Sequence, residues 1–297
     1  METTALISTK VTTPQGEEVA VLLMDTQGSF DCTSTVKDCA TIFALSVMTS
    51  SVQVYNVIRN IQEDQLQHLH FFAEYGKLAQ KDGRNEPFQR LVFLVRDWAF
   101  PYEAQYGASG GRRVLEDRLE IIGKEHEELK KLRRQILNSF SKIDCFLMPC
   151  PGEKVEKDES FCGCLEDVHP EFKENLQKLV PWLLAPENLV VKKVSGEKIT
   201  CQELMNYFKI YTKTFQGGNL PEPKSMLQAT AEASNIAAKE KAMRFYMDGM
   251  EKRHQGTLLE LLGTHNQLLA EASNLFQSVS KVGGEEFSYR FLQNLRK

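Results

Sequence analysis

The chain has 297 residues, of which 42% are hydrophobic and 26% are charged, an ordinary composition for a globular protein. A net charge of −4 gives no reason to expect a nucleic-acid partner, and no apolar run approaches the roughly 20 residues that a membrane-spanning helix needs. The first ten residues do not have the pattern of a secretory signal, and seven scattered cysteines fit reduced cytosolic thiols better than a disulfide framework.

Short apolar runs alternate with helical patterns in the first two-thirds of the chain. The runs that predict strands end in polar or turn residues, and they lie at 18–28, 90–98 and 143–152, with a more polar run at 50–57. Residues 63–79 and 114–140 have the apolar spacing of amphipathic helices. Strands that alternate with helices predict an α/β domain with a parallel-rich sheet, covered on both faces.

The pattern changes near residue 200. Residues 200–215 predict one more helix, and the segment that follows, QGGNLPEPK, is rich in glycine and proline and predicts a linker. Three helical patterns come next, at 225–253, at 258–282 with a possible break at Gly263, and from 283 onward. The predicted domains are therefore residues 1–215, a linker at 216–223 and a partial helical bundle at 224–297.

The first predicted strand ends in an Asp-x-x-Gly segment, formed by Asp25 and Gly28. In GTPases, an aspartate at this place helps to hold Mg²⁺, usually through water, because Mg²⁺ prefers oxygen ligands and sheds its waters reluctantly. A glycine lets the backbone N–H approach a γ-phosphate closely. An ordinary turn after a strand uses the same residue types, so this motif alone leaves both interpretations open.

The next two predicted strands also end in candidate ligand-binding residues. Arg96 and Asp97 follow the run LVFLV, at the type of strand end where open α/β sheets bind ligands. A carboxylate has two acceptor oxygens and can select the two adjacent donors on the Watson–Crick edge of guanine. The alternative is a surface Arg–Asp ion pair of little energetic value. The third strand ends in a loop suitable for wrapping a base, formed by Pro149, Cys150, Pro151 and Gly152.

Four segments carry a resemblance to a known family: VLLMDTQGSFD, FLVRDWAFPYE, PKSMLQATAEA and GGEEFSYRFLQ. They resemble the atlastins, dynamin-superfamily GTPases of the GB1/RHD3 type, and the likeness runs from about residue 18 to the end. The family hydrolyses GTP, dimerises through its GTPase domains, and fuses endoplasmic reticulum membranes by swinging a three-helix bundle. The resemblance implies an incomplete Ras-like, dynamin-type GTPase domain followed by a three-helix bundle.

The resemblance also implies ligands, partners and residue roles. GTP or GDP and Mg²⁺ would be the ligands, and homodimers or heterodimers with full-length atlastin-like proteins the assemblies. The location would be the cytosolic face of the endoplasmic reticulum membrane, or the cytosol if this chain is expressed alone. The second switch would consist of Asp25, Thr26, Gln27 and Gly28, with Thr26 and Gln27 as candidate catalytic residues and Asp25 as the Mg²⁺ residue. Arg96 and Asp97 would read guanine, and residues 149–152 would flank the base, with Cys150 where the family usually has histidine.

The sequence departs from the family pattern at the phosphate-binding loop. The motif G-x-x-x-x-G-K-[ST] is absent, because Phe71 and Arg118 occupy the first glycine position of the two nearest matches. We therefore expect a chain truncated at both ends, without the membrane hairpin and with an opened sheet. Phosphoryl transfer depends on positioning and charge stabilisation, so we expect weak GTP binding and no useful hydrolysis. A non-catalytic interaction protein that pairs with full-length relatives remains the alternative.

Other patterns suggest sites of a different kind. A zinc site could use the closely spaced residues Cys145, Cys150, Cys162, Cys164 and His169, although their spacing matches no usual zinc motif. His68 and His70 are two residues apart and so do not share a helix face. The charged run at 124–135 predicts a solvated helix face, with membrane-surface binding as the alternative.

Overall fold

The computed structural model describes residues 6–26, 36–67, 69, 88–120, 126–194, 196–215, 223–252 and 257–296. The described residues up to Lys192 form one compact unit, and those from Lys193 onward form a second. No helix in these ranges is both long enough and apolar enough to cross a membrane.

The first unit combines strands with helices. Its described strands are β1 Leu6–Thr12, β2 Glu18–Met24, β3 Val52–Ile58, β4 Phe88–Arg96 and β5 Phe140–Leu147. Its described helices are α1 Val36–Thr49, α2 Ala108–Leu119, α3 Glu127–Leu137, α4 Glu153–Lys157 and α5 Pro170–Leu184, with single 3₁₀ turns at Leu165–Asp167 and Pro186–Asn188. Residues 63–67 are also helical.

A parallel three-stranded sheet in the order β3-β4-β5 forms the centre of the first unit. Its middle strand is apolar on both faces, and Leu91, Val92, Phe93 and Val95 are each 0% exposed. A strand buried on both sides needs this composition, which explains why LVFLV could be assigned from sequence. Helix α2 packs directly on β5 through Gly111, where a Cβ atom would lie 2.2 Å from the carbonyl oxygen of Cys145.

The strand that carries Asp25 belongs to a different sheet. β2 pairs antiparallel with β1 along its whole length, from Leu6 opposite Met24 to Thr12 opposite Glu18. The described residues place no other strand in this sheet. β1 was not predicted, because the polar residues of LISTKVT weaken the apolar alternation that identifies a strand. β2 ends at Met24, so Asp25 and Thr26 follow the strand directly.

Two helical predictions need correction. Residues 114–140 do not form one helix, because Glu120 and His126 are both extended and separate α2 from α3. The buried guanidinium of Arg133 instead bonds to the carbonyl of Arg118 at 2.9 Å, which holds α3 against the end of α2. The run at 124–135 is therefore only partly a solvated face. The predicted break at Gly263 is also wrong, since α8 of the second unit continues through it.

The second unit is helical apart from one short hairpin. Its described elements are β6 Lys193–Val194, β7 Glu197–Lys198, α6 Cys201–Phe215, α7 Pro223–Glu251, α8 Leu258–Ser278 and α9 Gly284–Leu295. The helices α7, α8 and α9 share a core. In it, the small Ala238 and Ala242 of α7 pack with the larger Phe276, Leu292 and Leu295 of α8 and α9. A capping box between Thr257 and Glu260 begins α8.

The fold therefore confirms the predicted α/β part with a parallel sheet and the helical carboxyl-terminal part. The predicted helix at 200–215 is confirmed as α6, which packs on α7 through a hydrogen bond between the hydroxyls of Tyr211 and Thr230 at 3.1 Å. The predicted domain limits, 1–215, 216–223 and 224–297, stay predictions, since residues 216–222 lie outside the described part of the chain.

Candidate functional site

The candidate site lies where the parallel strands β4 and β5 end side by side. The amide of Met148 donates to the carbonyl of Val95 at 2.8 Å, and the amide of Trp98 donates to the carbonyl of Met148 at 3.0 Å. These bonds hold the two loops that follow the strands next to each other. The loops therefore meet at the carboxyl edge of the sheet, where open α/β sheets bind ligands.

Asp97 occupies a special backbone conformation at this edge. Its φ of 55° lies in the left-handed region, which costs a non-glycine residue about 1–2 kcal/mol. The conformation turns the chain sharply after β4 and leaves the Asp97 side chain half-buried, while Arg96 is exposed. The carboxylate of Asp97, the thiol of Cys150 and the carboxylate of Glu156 lie within 4.8 Å of one another.

Arg96 and Asp97 do not pair with each other. No ion pair or hydrogen bond of the described residues joins these two side chains. The structure thus does not form the Arg96–Asp97 ion pair of the alternative interpretation, and the guanine-reading role of these residues stays a prediction. The Asp97 carboxylate instead faces the loop that follows β5.

The loop after β5 is anchored at both ends. Pro149 is buried, and Cys150, Pro151 and Gly152 are half-buried. The amide of His169, which precedes helix α5, donates to the carbonyl of Pro151 at 2.7 Å. Gly152 has a φ of 119°, which favours glycine, and a Cβ atom there would lie 3.5 Å from His169. The loop thus has a fixed path against the start of α5.

The Cys150 thiol is a neutral hydrogen-bonding group beside the Asp97 carboxylate. The Cys150 thiol donates to Glu156 at 3.0 Å and accepts from the amide of Gly152 at 3.4 Å. Burial and the bond to Glu156 raise the pKa of the Cys150 thiol. Burial also raises the pKa of Tyr106, and the nearby Glu171 and Cys150 add to that rise. Both groups stay protonated at neutral pH, so the Asp97 carboxylate lies beside a neutral thiol as well as beside the carboxylate of Glu156.

Aromatic packing supports the turn after β4. The indole N–H of the buried Trp98 donates to the carbonyl of Ala104 at 2.8 Å. Its ring meets Phe100 edge-on, with 5.5 Å between the centroids. Sequence reasoning missed this support, and it also missed Tyr106 and Glu156. Trp98 and Phe100 belong to the segment FLVRDWAFPYE, but its sequence does not indicate this packing, and Tyr106 and Glu156 belong to no motif.

The residues of the predicted second switch do not join this group in the described structure. Asp25 and Thr26 are exposed at the end of β2, and Gln27 and Gly28 lie outside the described residues. Asp25 has no hydrogen bond or ion pair to any described residue and belongs to no cluster of three potential metal ligands. His68 and His70 also lie outside the described residues.

The zinc site that the cysteine spacing suggested as a possibility is not formed by the described residues. Cys145 is buried in β5, whereas Cys162 and Cys164 are exposed. Within the described ranges, the one group of three potential metal ligands consists of Asp97, Cys150 and Glu156. The cysteines and His169 therefore do not converge on one ion.

Comparisons with known proteins give the family. Residues 1–193 match the guanylate-binding protein N-terminal domain, and residues 195–297 match the guanylate-binding protein C-terminal domain. Atlastin-1 of Macaca fascicularis is 53% identical over 287 residues, which is 95% of this chain and 51% of that protein. Atlastin-2 of Homo sapiens is 54% identical over 287 residues, which is 95% of this chain and 49% of that protein.

The chain belongs to the atlastin-type GB1/RHD3 family of the dynamin superfamily. It spans about half the length of the curated atlastins that it matches. The change from one matched domain to the other, at residues 193–195, coincides with the change between the two compact units. The loops that follow β4 and β5 thus lie in the part that matches the guanylate-binding protein N-terminal domain.

Proposed function

We propose that the chain is an atlastin-like guanine-nucleotide-binding protein that selects its base through Asp97. The observation that carries the proposal is the half-buried Asp97 carboxylate at the end of β4, turned by a left-handed backbone toward the loop 149–152. The family match supports a guanine nucleotide as the ligand.

The base selectivity follows from donor and acceptor chemistry. Guanine presents an N1–H and a 2-amino group side by side, and a carboxylate can accept from both. Adenine presents an acceptor at N1 and no 2-amino group, so it would leave the Asp97 oxygens unpaired. A half-buried acceptor without a partner costs about 1–3 kcal/mol, which predicts a guanine preference of about tenfold to a hundredfold.

The neighbouring residues have supporting roles in this proposal. The buried Pro149 and the half-buried Cys150 and Pro151 would contact the base, and Gly152 would allow the loop to pass close to His169. Arg96, which is exposed at the same edge, would lie beside the base or ribose. No step of a reaction is assigned to these residues.

The part of the proposed site that would bind the phosphates has few ligand groups among the described residues. The sequence contains no G-x-x-x-x-G-K-[ST] motif, whose backbone amides and lysine usually hold the phosphates. Asp25 offers one exposed carboxylate and belongs to no described cluster of ligands, so the described residues do not form a Mg²⁺ site. We therefore propose weak binding driven by the base, with no useful GTP hydrolysis by this chain alone.

Two parts of the proposal rest on the family alone. They are a role in membrane fusion at the endoplasmic reticulum and the formation of dimers with full-length relatives. The membrane location rests on the resemblance to atlastins, since no described helix can cross a membrane. Pairing with relatives would use surfaces of the atlastin N-terminal domain. A pull-down with a full-length atlastin, with and without GTP, tests this part separately from base recognition.

The experiment that tests the proposal compares nucleotides on the purified full chain. Equilibrium competition against a fluorescent GDP should give tighter binding for GDP and GTP than for ADP and ATP. Phosphate release from GTP should stay at the background rate. Equal affinity for guanine and adenine nucleotides would overturn the base assignment, and steady turnover of GTP would overturn the prediction for the phosphate end.

A further inference from the structure

Two exposed thiols of the first unit lie next to each other in the loop between α4 and α5. Only Gly163 separates Cys162 from Cys164, and both cysteines are exposed. Among the cysteines that the structure describes, no other two are spaced so closely. Neither thiol forms a hydrogen bond to a described residue, and neither belongs to the group of potential metal ligands around Asp97. The two thiols therefore form a cluster of nucleophiles outside the candidate site.

Hydrogen-bonded turns fix the backbone on both sides of the two thiols. Before them, the amide of Phe161 donates to the carbonyl of Asp158 at 3.0 Å and closes a turn. After them, the amide of Asp167 donates to the carbonyl of Cys164 at 3.2 Å, at the start of a 3₁₀ turn. Only residues 162 and 163 connect the two turns, so the two cysteines are held close to each other.

Gly163 leaves room for the two thiols to approach. Its φ of 86° lies in the left-handed region that favours glycine, and a Cβ atom there would have no atom within 4 Å. Residues two apart in a fully extended chain have Cα atoms about 7 Å apart. A disulfide needs a Cα separation of about 4.4–6.8 Å, so a modest bend at this open glycine is sufficient.

We propose that Cys162 and Cys164 are a reversible oxidation site, at which a small-molecule disulfide of the glutathione class converts the two thiols into one intramolecular disulfide. The new bond closes a loop of three residues, so it adds little to stability. Its exposure leaves it open to reduction, which is typical of regulatory disulfides and not of structural ones. In reducing compartments, the disulfides that do form are usually transient and redox-sensing.

The oxidation takes two thiol–disulfide exchange steps. In the first, the thiolate of one cysteine attacks a sulfur of glutathione disulfide, the sulfur–sulfur bond of the oxidant breaks, and one glutathione leaves. In the second, the thiolate of the other cysteine attacks the protein sulfur of this mixed disulfide, and a second glutathione leaves. The two protein thiols are oxidised, glutathione disulfide is reduced, and the two thiol protons end on the two glutathiones.

The nearness of the second thiol decides the product. A group attached through a short link reacts at an effective concentration on the order of 1 mM. When total glutathione is kept well below that concentration, the neighbouring thiol resolves the mixed disulfide faster than free glutathione reverses it. A cysteine without such a neighbour stops at the mixed disulfide.

The test is peptide mapping by mass spectrometry after the reduced full chain has been incubated with an excess of glutathione disulfide. Remaining thiols are blocked with an alkylating reagent, and the chain is cut with trypsin. The peptide 158–173 contains both cysteines of the site and no other. We expect it to lose two hydrogen atoms, to carry no glutathione and no alkyl group, and to recover both thiols with dithiothreitol.

Two variants and one internal control separate this result from general thiol reactivity. In Cys162→Ser and in Cys164→Ser the remaining thiol has no neighbour, so peptide 158–173 should gain one glutathionyl group. Cys201 is the matched control, since it is exposed and is the only cysteine of peptide 199–209. This peptide should gain one glutathionyl group in all three forms of the chain.

Three results would overturn the proposal. They are glutathione bound to the wild-type peptide 158–173, two thiols that stay reduced in that peptide, and a disulfide that joins it to a different peptide. A disulfide that dithiothreitol does not reverse would also contradict it. None of these results bears on base recognition by Asp97.

Discussion

Replacing Gly111 with alanine should destabilise the first unit and leave the second unchanged. In α2 this glycine faces the backbone of β5, and a Cβ atom would lie 2.2 Å from the carbonyl oxygen of Cys145 and 2.5 Å from its carbonyl carbon. The obstacle is the backbone of β5 at the buried residue Cys145. Neither atom belongs to a side chain that could rotate away, so the helix itself has to move.

The size of the effect can be worked out from this contact. To restore an ordinary contact, α2 would have to retreat by about 1 Å, and overpacking of this kind costs about 1–3 kcal/mol. Alanine recovers about 0.5–1 kcal/mol through its better helix propensity. The expected net loss is about 1 kcal/mol, which lowers the urea midpoint by about 0.5 M at a typical m-value of about 2 kcal/mol per M.

Tryptophan fluorescence during urea unfolding is a suitable assay. The chain has 2 tryptophans, and both Trp98 and Trp182 lie in the first unit. Gly263→Ala is the matched control, because this α8 glycine has no atom within 4 Å of the added Cβ. It should raise the free energy of unfolding of the second unit by about 0.5–1 kcal/mol and leave the urea midpoint of the tryptophan transition unchanged. A Gly111→Ala transition at the wild-type midpoint would refute the packing argument.

Two further predictions concern buried charges of the first unit. Asp144→Ala should cost about 3 kcal/mol in urea unfolding, because it leaves the 5%-exposed Arg90 without its 2.7 Å carboxylate partner. Arg90→Met should cost less, since Lys142 still lies 3.2 Å from Asp144 and methionine can pack on Trp182; equal costs would contradict this reasoning. Burial lowers the pKa of Lys192 from 10.5 to about 7. Between these two pH values the unfolded chain still binds the proton that the folded chain has released. The free-energy cost of burying Lys192 therefore decreases as the pH rises from about 7 to about 10.5. Lys192→Met should therefore stabilise the first unit by about 1–2 kcal/mol at pH 7, and this gain should shrink toward pH 10. The gain is smaller than full burial would give, because Lys192 keeps some solvent contact and donates to the carbonyl of Ser50. A gain in stability that grows with pH would contradict the lowered pKa.

Much of the fold could be predicted because its strongest signals are local. The run LVFLV is buried on both faces, and such a run is hard to place anywhere except in a central parallel strand. The long alanine-rich segment became α7 for the same reason, since its propensity and its packing agree. β1 could not be predicted, because its stability comes from pairing with β2 over seven residues and not from its own composition.

The break between α2 and α3 depends on tertiary contacts, which the apolar periodicity of the sequence does not indicate. Arg133 has the charge of a surface residue, yet it is buried against the carbonyl end of α2. The position of α3 against the end of α2 is set by this packing, and the helical spacing of residues 114–140 does not indicate it.

The candidate site was partly visible in the sequence. Asp97 and the loop 149–152 could be identified because each follows an apolar strand, and the fold brings them to one edge. The left-handed conformation of Asp97 could not be foreseen, nor could the nearness of Glu156 and Tyr106, since these depend on how two loops cross. The roles of Thr26, Gln27 and Gly28 stay predictions.

The most direct test of base recognition exchanges the chemistry of one side chain. Asp97→Asn replaces one acceptor oxygen by an N–H₂ donor, and xanthine replaces the 2-amino donor of guanine by a carbonyl acceptor. Binding of GDP and xanthosine diphosphate is measured for both forms of the full chain. We expect Asp97→Asn to weaken the binding of GDP and to strengthen the binding of xanthosine diphosphate, each by about tenfold or more. Equal changes for both nucleotides, or no change for either, would contradict it.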